Sequence, residues 1–255
     1  MSKDICRGNI ILTSMNDLKI TKILEDGQSA VLTTQQLAVL LNMSASSTAV
    51  KLNRLVNRNV LVRVTRGRYC LPSTDILAVA SSIYSPSYIS LLGAFEFHGT
   101  TTQSTRVIDV INPIYSGQIS LTLEAGQFIM RFIKVDRSLV FGYEKTFFSG
   151  KVALIADKEK VIVDSLFLTG YVTLDETVAC LRSKIEYKKA MDYARRIDRQ
   201  SVIKRLGYLL STVGIQCPSE YSSGLSKTYV PLDPSLPKRG KYDPKWRIII
   251  NRVIE

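Results

Sequence analysis

The chain has 255 residues, 45% of them apolar, with 34 Lys/Arg against 22 Asp/Glu and a formal net charge of +12. That length and apolar share are enough for folded domains of ordinary size, which excludes a disordered chain as the expectation. No apolar run approaches the roughly 18 residues of a membrane span, and the opening MSKDICRGNI lacks a signal-peptide pattern, so a cytoplasmic protein without membrane association is expected.

The four cysteines, Cys6, Cys70, Cys180 and Cys217, lie far apart without a CxxC pair, and His98 is the sole histidine. No metal site, cofactor or disulfide framework is expected from that set. Charge is uneven along the chain: residues 1–72 carry +6, residues 73–181 carry −3 and residues 182–255 carry +9. Solvated helix faces account for part of the excess. Cations clustered at both ends also fit a polyanion partner, because each cation meeting a phosphate backbone releases condensed counterions.

Residues 1–14 read as an irregular arm. Residues 15–26, MNDLKITKILED, place Leu18, Ile20, Ile23 and Leu24 on one helical face. Thr33 and Gln36 stand at the spacing of a capping box, opening a helix whose buried stripe is predicted to be Leu37, Leu40 and Leu41. Ser44 is the predicted N-cap of a third helix to about Asn57, with Ala49, Leu52, Leu55 and Val56 inward. Its opposite face carries Ser47, Lys51, Arg54 and Arg58 at i, i+4, i+7 and i+11. Residues 60–72 then alternate as two strands joined at Thr65, Arg66, Gly67 and Arg68, holding Arg63, Arg66 and Arg68 outward.

Two helices joined by a small-residue turn and followed by a basic ribbon are the outline of a winged helix-turn-helix. In such a unit the second of the two helices meets base edges near its N-terminus, while more distant cations and the ribbon meet phosphates or a minor groove. The predicted DNA-binding residues are therefore Ser46, Ser47, Lys51, Arg54, Arg58, Arg63, Arg66 and Arg68, and the predicted partner is double-stranded DNA. The competing readings are a stand-alone regulator of other genes and a protein-interaction module, since the same architecture also serves in protein interaction. A homodimer would match the two-fold symmetry common among operators, although no coiled-coil heptad is present.

Beyond residue 72, DILAVASSIY reads as a helix. Pro86 is predicted to start another, in which Ile89, Leu92, Phe95 and His98 repeat before Gly99. Strand-like runs follow at 106–111, 118–123, 127–135 and 139–143, separated by turns at Asn112-Pro113 and Ser116-Gly117. A further short strand leads into a helix carrying Glu159, Lys160 and Asp164. The spacing of four makes an ion pair the simplest fate of Lys160 and Asp164. His98, with no nucleophile motif for a partner, is expected to cap its helix or satisfy a buried polar group. No phosphate-binding glycine loop appears, no residue is assigned a catalytic role and no enzyme activity is expected.

The last third reads as helices: one capped by Thr173, then EYKKAMDYARRID, then SVIKRLGYLLSTVG closing at Gly214. Tyr187, Ala190, Met191, Ala194 and Ile197 share a face, with Lys188, Lys189, Arg195, Arg196 and Arg199 on others. Those cations are read either as a solvated surface or as a second face for DNA or an acidic partner. From Pro218 the composition predicts an extended basic arm whose closing IIINRVI is a strand. The expected fold class is α+β: a winged helix-turn-helix over 1–72, a mixed α/β domain with an antiparallel sheet and C-terminal helices over 73–217, and the arm over 218–255.

Taken together, RGRYCLP, SYISLLGAFEFHG and IADKEKVIVDSLF resemble the AbiEi family, the antitoxin halves of abortive-infection toxin–antitoxin pairs. The resemblance rests on Gly67 and Tyr69 in the ribbon, on Ser87, Tyr88, Ser90, His98 and Gly99, and on Glu159, Lys160 and Asp164. It covers about residues 33–168 in the family's order. Lys158 departs from the proline that commonly precedes the Glu-Lys pair in that family. The resemblance implies a transcriptional repressor of its own promoter. It also implies a cognate nucleotidyltransferase-like toxin, countered without a stable complex, and a mainly structural role for Tyr69, Tyr88, Ser90, His98, Glu159, Lys160 and Asp164.

Overall fold

The computed structural model describes residues 15–254; the arm expected at 1–14 lies outside them. The chain divides into two units. The first comprises the chain up to Ser85 with Gln118–Met130 and Thr146–Ala153, and the second comprises Pro86–Gly117, Arg131–Lys145 and Leu154–Glu255.

The first unit opens with α1 (Met15–Asp26), β1 (Leu32–Thr33), α2 (Thr34–Leu41), α3 (Ala45–Asn57), β2 (Val62–Thr65), β3 (Arg68–Cys70) and α4 (Ile76–Ser82). Ile20 and Leu24 of α1, Leu37 of α2, Leu52 and Leu55 of α3, and Leu61 and Tyr69 of the ribbon form one buried cluster. Burying each such side chain contributes about 1.5–3 kcal/mol, so this cluster dominates the stability of the three-helix arrangement.

Two residues predicted in the stripes lie outside the core: Leu18 is 54% exposed and Leu40 is 58% exposed. Leu18 sits two residues from Ile20, about 200° around the helix. Leu37 and Ala38 define the buried face of α2, which leaves Leu40 on the far flank. A third strand that the pattern did not reveal, β1, pairs antiparallel with β3 through Leu32 and Tyr69. Two residues are too short for alternation to register.

Lys151 belongs to this unit and is buried. Its ammonium donates to the Leu24 carbonyl, to Glu25 O at 2.8 Å and to Gly27 O at 2.5 Å. These are carbonyls that the end of α1 leaves without helical partners. Burial pulls the Lys151 pKa down, against the opposing fields of Asp26 and Glu25. Backbone bonds from Val152 N to Gln28 O and from Glu124 N to Pro72 O, each 2.9 Å, tie further distant segments into the unit.

The elements that follow are β4 (Tyr88–Ile89), α5 (Leu91–Phe97), β5 (Val107–Asn112), β6 (Gly117–Leu123), β7 (Gly126–Lys134), β8 (Tyr143–Phe148), β9 (Lys151–Ala156) and α6 (Lys158–Phe167). After them come α7 (Leu174–Leu181), α8 (Tyr187–Ile197), α9 (Gln200–Thr212), β10 (Val230–Pro231), β11 (Lys241–Asp243) and β12 (Ile248–Ile250). The large sheet has order β6-β7-β5-β4-β9-β8, and β4 pairs antiparallel with β5 but parallel with β9. The β4–β9 pair makes it mixed, a parallel element within the mainly antiparallel sheet expected.

Pro86 does not start a helix. Tyr88 and Ile89 are taken by the sheet, and α5 begins only at Leu91 after the extended Ser90. The run at 139–143 is not a strand either: a 3-10 turn occupies Arg137–Leu139, and Gly142 at φ +71° breaks extension before β8. That glycine packs with its Cα against Lys160, leaving little room for a side chain.

Thr173 occupies the N-cap of α7, but its side chain makes no cap hydrogen bond. Within the segment expected to be an extended arm, the chain forms a 3-10 turn and a small sheet of order β10-β12-β11. Trp246 is buried there against Gly207 of α9, where any Cβ would clash with the indole, and its Nε1 donates to Ser211 Oγ at 3.1 Å. No helix among the described residues is long and apolar enough to cross a membrane.

Candidate nucleic-acid interface

The predicted caps position α2 and α3. Gln36 N donates to Thr33 Oγ1 at 3.2 Å while Thr33 N donates to Gln36 Oε1 at 2.8 Å, so two orphan amides are satisfied reciprocally. Asn42 closes α2 in the left-handed region at φ 52°, which a short amide side chain tolerates. Ser44 then caps α3 by accepting from Ser47 N at 3.2 Å.

The Ser44 hydroxyl also donates to Ser47 Oγ at 2.9 Å and lies 3.1 Å from Ser46 Oγ. Ser46 and Ser47 are thus exposed but already engaged in the cap. Along the flank of α3 beside the Leu55 edge of its buried face, Arg54 and the C-cap residue Arg58 are exposed and Lys51 is half-buried. Lys51 and Arg54 have no ion-pair partner among the described residues. Arg58 differs, its Nη1 lying 3.8 Å from Asp17 Oδ2 of α1.

The ribbon is tied to both helices. Thr34 N donates to Gly67 O at 2.9 Å, and Gly67 turns the hairpin at φ +72°. Arg63 donates to Asn53 Oδ1 on α3 and sits 5.8 Å over the Tyr69 ring, so it braces the ribbon while remaining exposed. Arg68 is half-buried over Tyr84 at 5.5 Å. Arg66, at the turn, is exposed and has no ion pair among the described residues. The eight candidates therefore fall into cap serines (Ser46, Ser47), braced arginines (Arg58, Arg63, Arg68) and uncommitted cations (Lys51, Arg54, Arg66). Sequence reasoning missed Asn53 and Asp17 as the groups that hold two of these arginines; both are polar residues beside predicted core positions, the only signal they gave.

Tyr69 is a core residue of the first unit. In the second unit Tyr88, Ser90, Lys160 and Asp164 converge. Asp164 Oδ1 takes the Lys160 ammonium, and Oδ2 accepts from Tyr88 OH at 3.0 Å and Ser90 Oγ at 2.8 Å. Lys160 also lies 4.6 Å from the Phe141 ring centre. Burial, then the Asp164 charge, push the Tyr88 hydroxyl well above its ordinary pKa.

Glu159 faces α8 instead, with Lys189 Nζ at 3.2 Å and Glu186 N at 2.8 Å. Lys189 also reaches Asp157 at 3.1 Å, which in turn accepts from Tyr193 OH at 3.0 Å. His98 stands apart at the C-cap of α5, its Nε2 2.7 Å from Ala156 O. Each charge among these residues is matched by a neighbour.

Residues 20–72 match the family model described as "Transcriptional regulator, AbiEi antitoxin". That stretch runs from within α1 through the ribbon and includes every predicted DNA-binding residue. A search of curated proteins returned no match to the chain.

Proposed function

We propose that residues 1–72 act as a winged helix-turn-helix that binds duplex DNA sequence-specifically, and that the protein is a cytoplasmic, non-enzymatic repressor of its own promoter. In this reading α3 enters the major groove. Lys51 and Arg54 meet its floor and wall, Ser46 and Ser47 lie at the leading end, and Arg66 at the hairpin turn reaches a flanking phosphate. Arg58, Arg63 and Arg68 orient the ribbon and add positive field.

The observation that carries this reading is the set of three cations without ionic partners among the described residues, Lys51, Arg54 and Arg66, on a capped helix and the hairpin braced to it. Elsewhere among the described residues Arg131 and Arg252 pair with carboxylates; cations without an ion pair gathered on one surface are suited to phosphates. The family match over the same residues supports the regulator and antitoxin reading. The proposal also includes a toxin of nucleotidyltransferase type encoded beside it and countered without a stable complex. Binding as a homodimer to a two-fold operator completes the proposal.

A nuclease footprint of the full chain on its own upstream region tests it. The expected result is a protected site overlapping the promoter, lost as salt rises. Equal affinity for that region and for unrelated DNA would remove sequence-specific repression from the reading. A second reading, a protein-interaction surface, draws on Val39 and Leu40 of α2 and Val50 of α3, all more than half exposed. Pull-down of the adjacent gene product by wild type but not by Val39→Asp would favour it.

A further inference from the structure

The second unit contains a cavity of about 460 Å³ that plays no part in the DNA-binding proposal. Its walls are the end of α6, residues 169–174, Arg205 of α9, residues 232–235 and Arg252. That volume lies in the range of small-molecule sites, roughly 300–1,000 Å³.

Arg205 is the unusual member. It is 8% exposed, yet among the described residues its guanidinium has only carbonyl partners: Nε donates to Pro231 O at 3.0 Å and Nη1 approaches Leu166 O at 3.4 Å. A guanidinium carries five N–H donors, so most of its fork remains uncommitted. Burial lowers the Arg205 pKa, opposed by the Asp233 charge.

Asp233 does not neutralise it by contact. One Asp233 oxygen accepts from Ser235 N at 2.9 Å and Ser235 Oγ at 2.5 Å, and the other from Arg252 Nη1 at 2.8 Å. Arg252 is itself shared with Asp175 at 2.5 Å. A buried cation whose nearby carboxylate is otherwise occupied is costly, and a planar fork beside a cavity is shaped for an incoming oxyanion.

We propose that this cavity binds a small organic anion, with Arg205 pairing to its phosphate or carboxylate group. Thr173 lines the same cavity and supplies a hydroxyl unused by its helix cap, whereas that of Thr177 is already bonded to Ser165 Oγ at 2.8 Å. Tyr171 lines it too and is held under Arg131, whose guanidinium lies 4.7 Å from the ring centre, so a fixed aromatic face is available to a flat ligand body. The inference stands independently of DNA binding.

Titration calorimetry on the full chain tests it with three probes: inorganic phosphate, AMP and benzoate, at constant ionic strength. The expected result is saturable binding of at least one probe, unchanged in Lys51→Ala with Arg54→Ala. Affinity should fall at least about tenfold in Arg205→Lys, which keeps the charge and loses the fork. Because Arg205→Lys can perturb folding, Thr169→Trp, an exposed lining residue enlarged to fill the cavity, should abolish the same binding with the fold intact. Tighter AMP than phosphate identifies a phosphate with a flat body; tighter benzoate identifies a carboxylate. No saturation by any probe to about 10 mM, or binding that survives Thr169→Trp and disappears with the Lys51/Arg54 pair, overturns the proposal.

Discussion

Lys160 and Asp164, one turn apart on α6, bury an ion pair in which both side chains are at most 2% exposed. The carboxylate is saturated, since Tyr88 and Ser90 occupy its second oxygen. Removing one partner from such a pair typically costs about 3–5 kcal/mol, because the other charge stays buried alone. Asp164→Ala should therefore lower the urea midpoint sharply. Lys160→Met combined with Asp164→Leu should recover part of the loss, leaving the two hydroxyls as the residual cost. A single variant as stable as wild type would contradict this account of α6.

Glu159 gives a pH signature. Burial raises its carboxyl, but the amides of Glu186 and of Glu159 itself and the Lys189 ammonium outweigh burial and hold it below the ordinary carboxylate range. A depressed native value contributes stability that is complete above the unfolded pKa, about 4.3, and is lost as pH falls through the native one. The stability gap between wild type and Glu159→Gln should thus narrow between about pH 5 and pH 3. A gap constant over that interval in urea titrations would mean that the carboxylate is not what Glu159 contributes.

The uncommitted cations predict a division of labour. Lys51→Ala with Arg54→Ala should abolish a mobility shift on the upstream region while thermal unfolding stays nearly unchanged, because neither residue has an ion pair to lose among the described residues. Arg66→Ala should weaken all sequences alike and reduce the salt slope by about one unit. A selective loss at one base pair would assign Arg66 to a base edge instead.

Thiol chemistry should be silent in the native state. Burial pushes the Cys70 thiol up to about 12 and, with smaller opposing effects from Thr100, Lys158 and Ser183, that of Cys180 up to about 11; Cys217 is raised and buried as well. With Cys6→Ser in place, a disulfide reagent at pH 8 should react only on unfolding. Prompt reaction of a native thiol would show that one of these positions opens.

Where local chemistry decides the structure, it was readable. The Thr33–Gln36 box, the Ser44 cap and the turn at Gly67 each encode their own geometry, and the spacing of Lys160 and Asp164 was enough to expect their pairing. Where distant strands decide, it was not. Tyr88 and Ile89 leave a helical pattern because β5 and β9 offer ladder partners, and nothing within residues 86–98 announces that. Gly142 and the 3-10 turn likewise override the strand propensity of LVFGY. Among the candidate residues, the basic stripe was evident, but the bracing of Arg58 by Asp17 and of Arg63 by Asn53 depends on elements meeting in space.

Lys151 closes the end of α1 from 127 residues downstream of Leu24. During synthesis at roughly 5–20 residues per second, the last carbonyls of α1 wait some 6–25 s for their ammonium after that helix has emerged. A nonsense codon anywhere between the ribbon and residue 151 would release a product displaying the whole basic surface of α3 over a helix whose end is uncapped. Such truncated chains are expected to be short-lived.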